Sequence, residues 1–246
     1  MIPFPFQRGQ FGRGRANVGS DPNFANVVAL LHLDGTNGST TIVDSSPLAR
    51  SFTCFNEAAI STAQSKFGGA SAVFDGNQDS IQASTTTDYD LGNTYTIELW
   101  ARATSTAGNS GLLHRGFYNN TNNTWVGLAF SMRQLGTTLR CYFFATTAAN
   151  ERFIDAANAL AANTWKHIAM VRNGSSGQVF VDGISAGTIS SLSTPAASSE
   201  SLRIGLWNFT GGIESFGGHM DEIRITKGVA RYTANFTPAV DAFPNS

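Results

Sequence analysis

Residues 163–183 read NTWKHIAMVRNGSSGQVFVDG, and this stretch decides the fold class. Two apolar-rich runs, TWKHIAMVRN and QVFVDG, flank Gly174 to Gly177, and the second ends in Asp182-Gly183. That is the pattern of a β-hairpin followed by a tight turn. Upstream, YTIELWARA alternates, with Tyr95, Ile97, Leu99 and Ala101 on one face and Thr96, Glu98, Trp100 and Arg102 on the other. WVGLAFSM alternates likewise and predicts Val126, Leu128, Phe130 and Met132 on the apolar side. SLRIG (201–205) reads as a further strand and MDEIRIT (220–226) as the closing one. Turn residues recur at intervals that suit stacked antiparallel sheets. A single short helix is expected, around Asp155 to Ala161. No internal repeat is evident.

Two motifs at the ends belong with this centre. VVALLHLDGTNGSTTIVDSSP runs from Val27 to Pro47 and GGHMDEIRITKGVARYTANFTPAV from Gly217 to Val240, with QSKFGGASAVFDG (64–76) between them. In this order the motifs resemble the laminin-G-like, concanavalin-A-like jelly roll, in the version common in phage and bacterial surface proteins. The fold this implies is all-β, a two-sheet antiparallel jelly-roll sandwich with an extended N-terminal arm. The expected organisation is an arm over 1–26, the jelly roll over 27–240 and a short tail over 241–246. The fold by itself does not name an activity, because it serves lectins, glycosidases and structural modules alike.

Composition agrees with a β-rich body. Charged residues are only 13% of the 246, about half of the ~25% usual in soluble domains. Ser, Thr, Asn and Gly take their place, while 41% hydrophobic residues suffice for a sizeable core. The net charge of −1 gives no reason to expect nucleic acid or an acidic membrane as partner. The arm differs: Pro and Gly oppose regular structure there, Phe4, Phe6 and Phe11 offer apolar anchors, and Arg8, Arg13 and Arg15 offer carboxylate-binding forks. It reads as a docking arm. Cys54 and Cys141, both in apolar strand-like runs, read as buried thiols or as one disulfide. No secretory signal pattern opens the chain and no apolar run approaches the ~20 residues of a membrane span, so synthesis and folding in a bacterial cytoplasm are expected.

Catalysis finds little support in the sequence. Glycoside hydrolysis needs two carboxylates flanking the bond, whereas Glu98 stands alone on its strand, and Asp221 and Glu222, being adjacent, are expected on opposite faces. His32, His114, His167 and His219 are scattered. Calcium is implied by the resemblance, as a possible structural ion: Asp34 and Asp221 match the acidic positions of the end motifs. Asp221 shares strand parity with Ile223 and Ile225 and is expected to face inward, with backbone N–H groups as the alternative partners to a cation. Asp75 and Asp79 form a second pair, read first as a turn. Glycan recognition would use an aromatic platform beside amide, hydroxyl and carboxylate groups. Trp100 with Glu98 and Arg102, Asn123 ahead of Trp125, and Trp207 with Asn208 are the candidates, with core filling as the plainer role of each indole. Trp165 is expected in the core.

The expectation is a non-enzymatic virion surface protein, a phage capsid decoration or tail-fibre head. Its arm is expected to bind other virion proteins, with self-association as a trimer or dimer and weak adhesion to a host-surface glycan. The alternative is a secreted or cell-surface carbohydrate-binding lectin module.

Overall fold

The structure is a computed structural model that describes residues 19–83, 87–144, 146–195 and 197–246. The arm residues Phe4, Phe6, Arg8, Phe11, Arg13 and Arg15 lie outside that range. In chain order the strands are β1 (Val27–Leu31), β2 (Thr41–Ile42), β3 (Phe52–Phe55), β4 (Ala59–Ser61), β5 (Ser71–Asp75) and β6 (Ser80–Ala83). There follow β7 (Thr94–Ala103), β8 (Asn109–Asn119), β9 (Thr124–Leu135), β10 (Thr138–Phe144), β11 (Arg152–Ala156) and β12 (Lys166–Asn173). The last are β13 (Ser176–Val181), β14 (Ile184–Ile189), β15 (Arg203–Ile204), β16 (Leu206–Phe209), β17 (Gly212–Ser215) and β18 (Gly217–Lys227).

They form two sheets. One has eight strands in the order β14-β13-β12-β7-β18-β5-β4, with β1 also on β18. The other has ten, in the order β11-β10-β9-β8-β15-β6-β3-β2, with the β16–β17 hairpin joined to β8. The alternation of YTIELWARA is realised in full: Tyr95, Ile97, Leu99 and Ala101 are completely buried between the sheets. Phe130, Met132, Leu139 and Cys141 meet them from the other sheet. Ile223 pairs with Leu31 and Ile225 with Ala29, and both isoleucines are core. The Asp182-Gly183 turn has positive φ at both positions (49° and 76°), the geometry a two-residue hairpin turn needs.

Four local expectations are corrected. The segment around Asp155 to Ala161 is not helical: Asp155 lies in β11, and the helical segments among the described residues are three-residue 3₁₀ turns. Val126 is 45% exposed, because the β8–β9 register breaks between Arg115 and Phe117 and the hairpin beyond runs past the core. Trp165 is half-buried at the surface. Asp221 does not face inward. Trp100 pairs with Asp221 but Glu98 with Arg224, so β18 carries one extra residue, with Glu222 at φ 49°. That bulge resets the parity. It puts Asp221 on the outer face while Ile223 and Ile225 stay inside, and it removes the expected opposition of Asp221 and Glu222.

The body also extends past the expected boundaries. Asp21 is buried, binds Arg231 at 2.7 and 2.9 Å and Arg224 at 3.2 Å, and its N–H donates to the Ser246 carbonyl. Phe243 is buried against Val27 and Leu30. Both thiols are free, Cys141 buried and Cys54 partly so. Among the described residues no helix is long and apolar enough to cross a membrane.

Candidate functional site

The outer faces of the two sheets are finished differently. On the eight-stranded sheet, residues 228–246 form a strap. Ala230, Tyr232 and Phe236 pack on Ala169, Val171 and Phe180, and Phe236 N–H donates to the Gly183 carbonyl. Any side chain at Gly183 would collide with the Phe236 carbonyl, so glycine there serves the docking as well as the turn.

Beneath the strap lies Glu98, completely buried. Its Oε1 accepts from Arg224 Nε and Nη2 at 2.9 and 2.8 Å, and its Oε2 accepts from the Tyr232 hydroxyl at 2.8 Å and lies 3.2 Å from His167 Nε2. Burial alone would raise its pKa, but Arg224, His167 and Tyr232 hold it down at about 2. Trp100 is 6% exposed, with the Lys66 ammonium 3.9 Å from its ring centroid and Phe67 edge-on at 5.9 Å. The expected Trp100–Glu98–Arg102 grouping does not form an open platform: Glu98 is completely buried, Trp100 nearly so, and Arg102 is half-buried in register with His219.

The expected metal residues are held by the backbone. Asp221 Oδ2 accepts the N–H groups of Lys66 and Phe67 at 2.7 and 3.1 Å, and its Oδ1 accepts that of Glu222 at 2.9 Å. Burial raises its pKa to about 7 against the pull of those N–H groups, and the Glu222 and Asp34 carboxylates add to the rise. Asp34 lies so close over Gly68 (φ 62°) that any Cβ there would overlap its carboxylate. Asp79 accepts the N–H groups of Glu57 and Asp75, and Asp75 that of Asn77, as a turn does. No cluster of three or more His, Cys, Asp or Glu able to hold a metal ion is found among the described residues.

The outer face of the ten-stranded sheet carries a layer of aromatic rings. Trp125, Tyr142 and Trp207 are buried in it, with Tyr118, Phe153 and Phe209 half-buried around them. Neighbouring centroids are 4.9 Å apart for Tyr118–Trp125 and Trp207–Phe209, 5.3 Å for Trp125–Tyr142 and 6.1 Å for Trp125–Trp207. Two arginines roof it. Arg133 stands 4.0 Å over Trp207 and pairs bidentately with Glu214 at 2.6 and 2.5 Å. Arg140 stands 3.8 Å over Phe153 and pairs bidentately with Asp155, both bonds at 2.7 Å. The Trp125 indole N–H donates to Glu151 at 2.9 Å. His114 is completely buried beside the rings, and Ser131 Oγ and the Trp207 Nε1 are buried without a hydrogen-bond partner. Burial, aided by nearby Arg203, lowers the His114 pKa to about 3, so the ring stays neutral.

Of the sequence candidates, this face gathers Trp207 and Asn123, whose Oδ1 accepts from the Tyr118 hydroxyl at 3.2 Å. Asn208 follows Trp207 along β16 and alternates to the opposite face, where its Oδ1 is buried and unpartnered. Arg133, Arg140, Tyr142, Phe153 and Glu214 were missed. The alternation of RCYFF, with Cys141 and Phe143 inward, would have set Arg140 and Tyr142 outward together.

The family model described as the concanavalin A-like lectin/glucanases superfamily matches residues 75–231. The chain belongs to this family. No curated protein sequence matches it. Among solved structures, this superfamily member is similar to the receptor-binding domain of botulinum neurotoxin type G: TM-score 0.58, 11% identity, covering 84% of this chain and 49% of that one. It is also similar to domain 4 of AbnA, a GH43 extracellular arabinanase from Geobacillus stearothermophilus, in complex with arabinotriose: 0.58, 16% identity, 84% and 94% covered. A third is the CBM40 of Ruminococcus gnavus IT-sialidase bound to alpha2,3 sialyllactose: 0.52, 13% identity, 64% and 89% covered. The chain spans about half the length of the toxin domain, and identities this low establish the shared fold alone.

Proposed function

We propose that this protein is a non-catalytic carbohydrate-binding module that takes glycans on the outer face of its ten-stranded sheet. The observation that carries the reading is the aromatic layer itself. The half-exposed Tyr118 and Phe209, paired in register, form its rim beside Asn123 and the Arg133–Glu214 pair. Apolar sugar faces stack on such rings while amides and charged pairs meet the hydroxyls. The sugar ligands named for the arabinanase domain and the CBM40 support the same class of ligand. Catalysis is disfavoured because the carboxylates of this face are engaged: Glu214 and Asp155 by arginines, Glu151 by an indole. The virion-surface reading rests on the resemblance to phage surface proteins and on the arm, of which residues 1–18 lie outside the described residues, and the comparisons lend it no support.

The test is a glycan array followed by titration of the best oligosaccharide against wild type and Phe209→Ala. The variant should bind about tenfold or more weakly, a loss of about 1.4 kcal/mol or more. Equal affinity would remove this face from consideration.

A further inference from the structure

A cleft of about 350 Å³ opens on the opposite side of the molecule, where the outer face of β12–β14 meets the strap. Val171 and Tyr232 are among the residues that line it. Around them stand Asn173, Gln178, Thr188 and Ser190, and none of the ten residues lining the cleft is Asp, Glu, Lys, Arg or His. Tyr232 is held in place twice: its hydroxyl donates to buried Glu98 at 2.8 Å, and its ring stacks on Phe236 at 3.6 Å between centroids and 4° between planes. Phe236 covers one face of the ring and Phe180 meets it edge-on at 6.2 Å, and Tyr232 is also among the residues that line the cleft.

We propose that this cleft is a second saccharide site, for an uncharged sugar. A fixed tyrosine, the apolar Val171 and Ile189, and the amides and hydroxyls of Asn173, Gln178, Thr188 and Ser190 in one lining match the mixed apolar and hydroxyl surface of a neutral pyranose or furanose. The volume lies in the range of small-ligand sites. The lining carries no charged side chain, and the neighbouring Arg152 guanidinium is engaged by the Ser190 carbonyl at 2.9 Å, so a carboxylated or sulfated sugar loses hydration there without a dedicated partner. The arginine-roofed face on the other sheet is different in this respect. Because the strap and the Glu98 bond fix Tyr232 beforehand, little ordering is needed when a ligand enters. The module would then hold two sugar units on opposite sides, and a polymer presenting both would gain from their joint occupancy.

Backbone amide NMR shifts of the full chain test the proposal, with arabinotriose and maltotriose as neutral probes and sialyllactose as the charged one. The neutral sugars should move resonances of residues 173–178, 188–190 and 232–233 at millimolar concentration, and sialyllactose should not. Ser190→Trp changes an exposed position and should fill the cleft, weakening the response at least tenfold with an unchanged melting temperature. Gln178→Ala should weaken it without steric blockade. Shifts confined to residues 118–125 and 206–214 would overturn the second site while leaving the first reading intact. Cleft shifts that persist undiminished in Ser190→Trp, or that sialyllactose produces equally, would also overturn it. So would a cleft that responds to neither neutral sugar.

Discussion

His32 ties the C-terminal end of the strap to the body. Its Nδ1 lies 2.7 Å from Glu222 Oε1 and its Nε2 2.6 Å from Asn245 Oδ1. Glu222 Oε2 accepts the Phe243 N–H at 2.8 Å, so the carboxylate grips ring and strap together. Partial burial alone would lower the histidine's pKa, but Glu222, Asn245 and Asp34 raise it above its ordinary value. A folded pKa above the unfolded one means a stabilisation fully present below the unfolded value of ~6.5 and lost as pH rises through the folded value. Wild-type melting temperature should therefore fall between pH 6 and 8.5 more than that of His32→Gln. Parallel pH profiles would show that His32 contributes nothing to the latch. Tyr232→Phe probes the other end: it strips a donor from buried Glu98 and should cost about 1–3 kcal/mol in denaturant unfolding. An unchanged midpoint would contradict the network drawn around Glu98. Neither contact was legible in the sequence, where His32 and Glu222 stand 190 positions apart and Glu98 and Tyr232 134 apart. Contacts between distant strands follow from register, and register follows from the fold.

At the scale of elements, alternation predicted what two-sided burial enforces. Tyr95 through Ala101 obeyed it because β7 sits inside its sheet, between β12 and β18, and a one-residue slip would turn every core side chain outward. The closing strand followed the same rule at Ile223 and Ile225. Ile225→Ala should cost roughly 2–5 kcal/mol through lost burial and a cavity, measurable as a shift in chemical denaturation. A cost below about 0.5 kcal/mol, the range of surface substitutions, would mean that β18 is not seated as described. Alternation misled where the backbone broke step. The extra residue at Glu222 moved Asp221 outward, and nothing in the letters MDEIRIT marks a non-glycine residue at positive φ. The expected helix after Asp155 failed for a different reason: Arg152 to Ala156 pairs with β10 and lays Phe153 and Asp155 on the aromatic face. Pairing of that kind overrides a weak local preference.

At the scale of the molecule, the two sheets are dressed for different tasks. The strap closes the outer side of one with a buried ionic network and two small apolar clusters: Glu98, attractive as a sugar ligand in the sequence, is tied to the strap through Tyr232, and Trp100 is buried against Lys66, Phe67 and His167. The other sheet keeps its aromatic layer without such a cover among the described residues. Its components come from β8, β9, β10, β11, β16 and β17, brought together by topology. That is why only Asn123 and Trp207 of this face were picked out as candidates beforehand. The central claim is that glycans bind there. The most direct measurement is a crystal structure of the protein grown with the best oligosaccharide from the array. The account predicts a sugar ring in van der Waals contact with Tyr118 or Phe209, with a hydroxyl bonded to Asn123 or to the Arg133–Glu214 pair. An array without any binder, or a bound sugar that leaves this face empty, would contradict it.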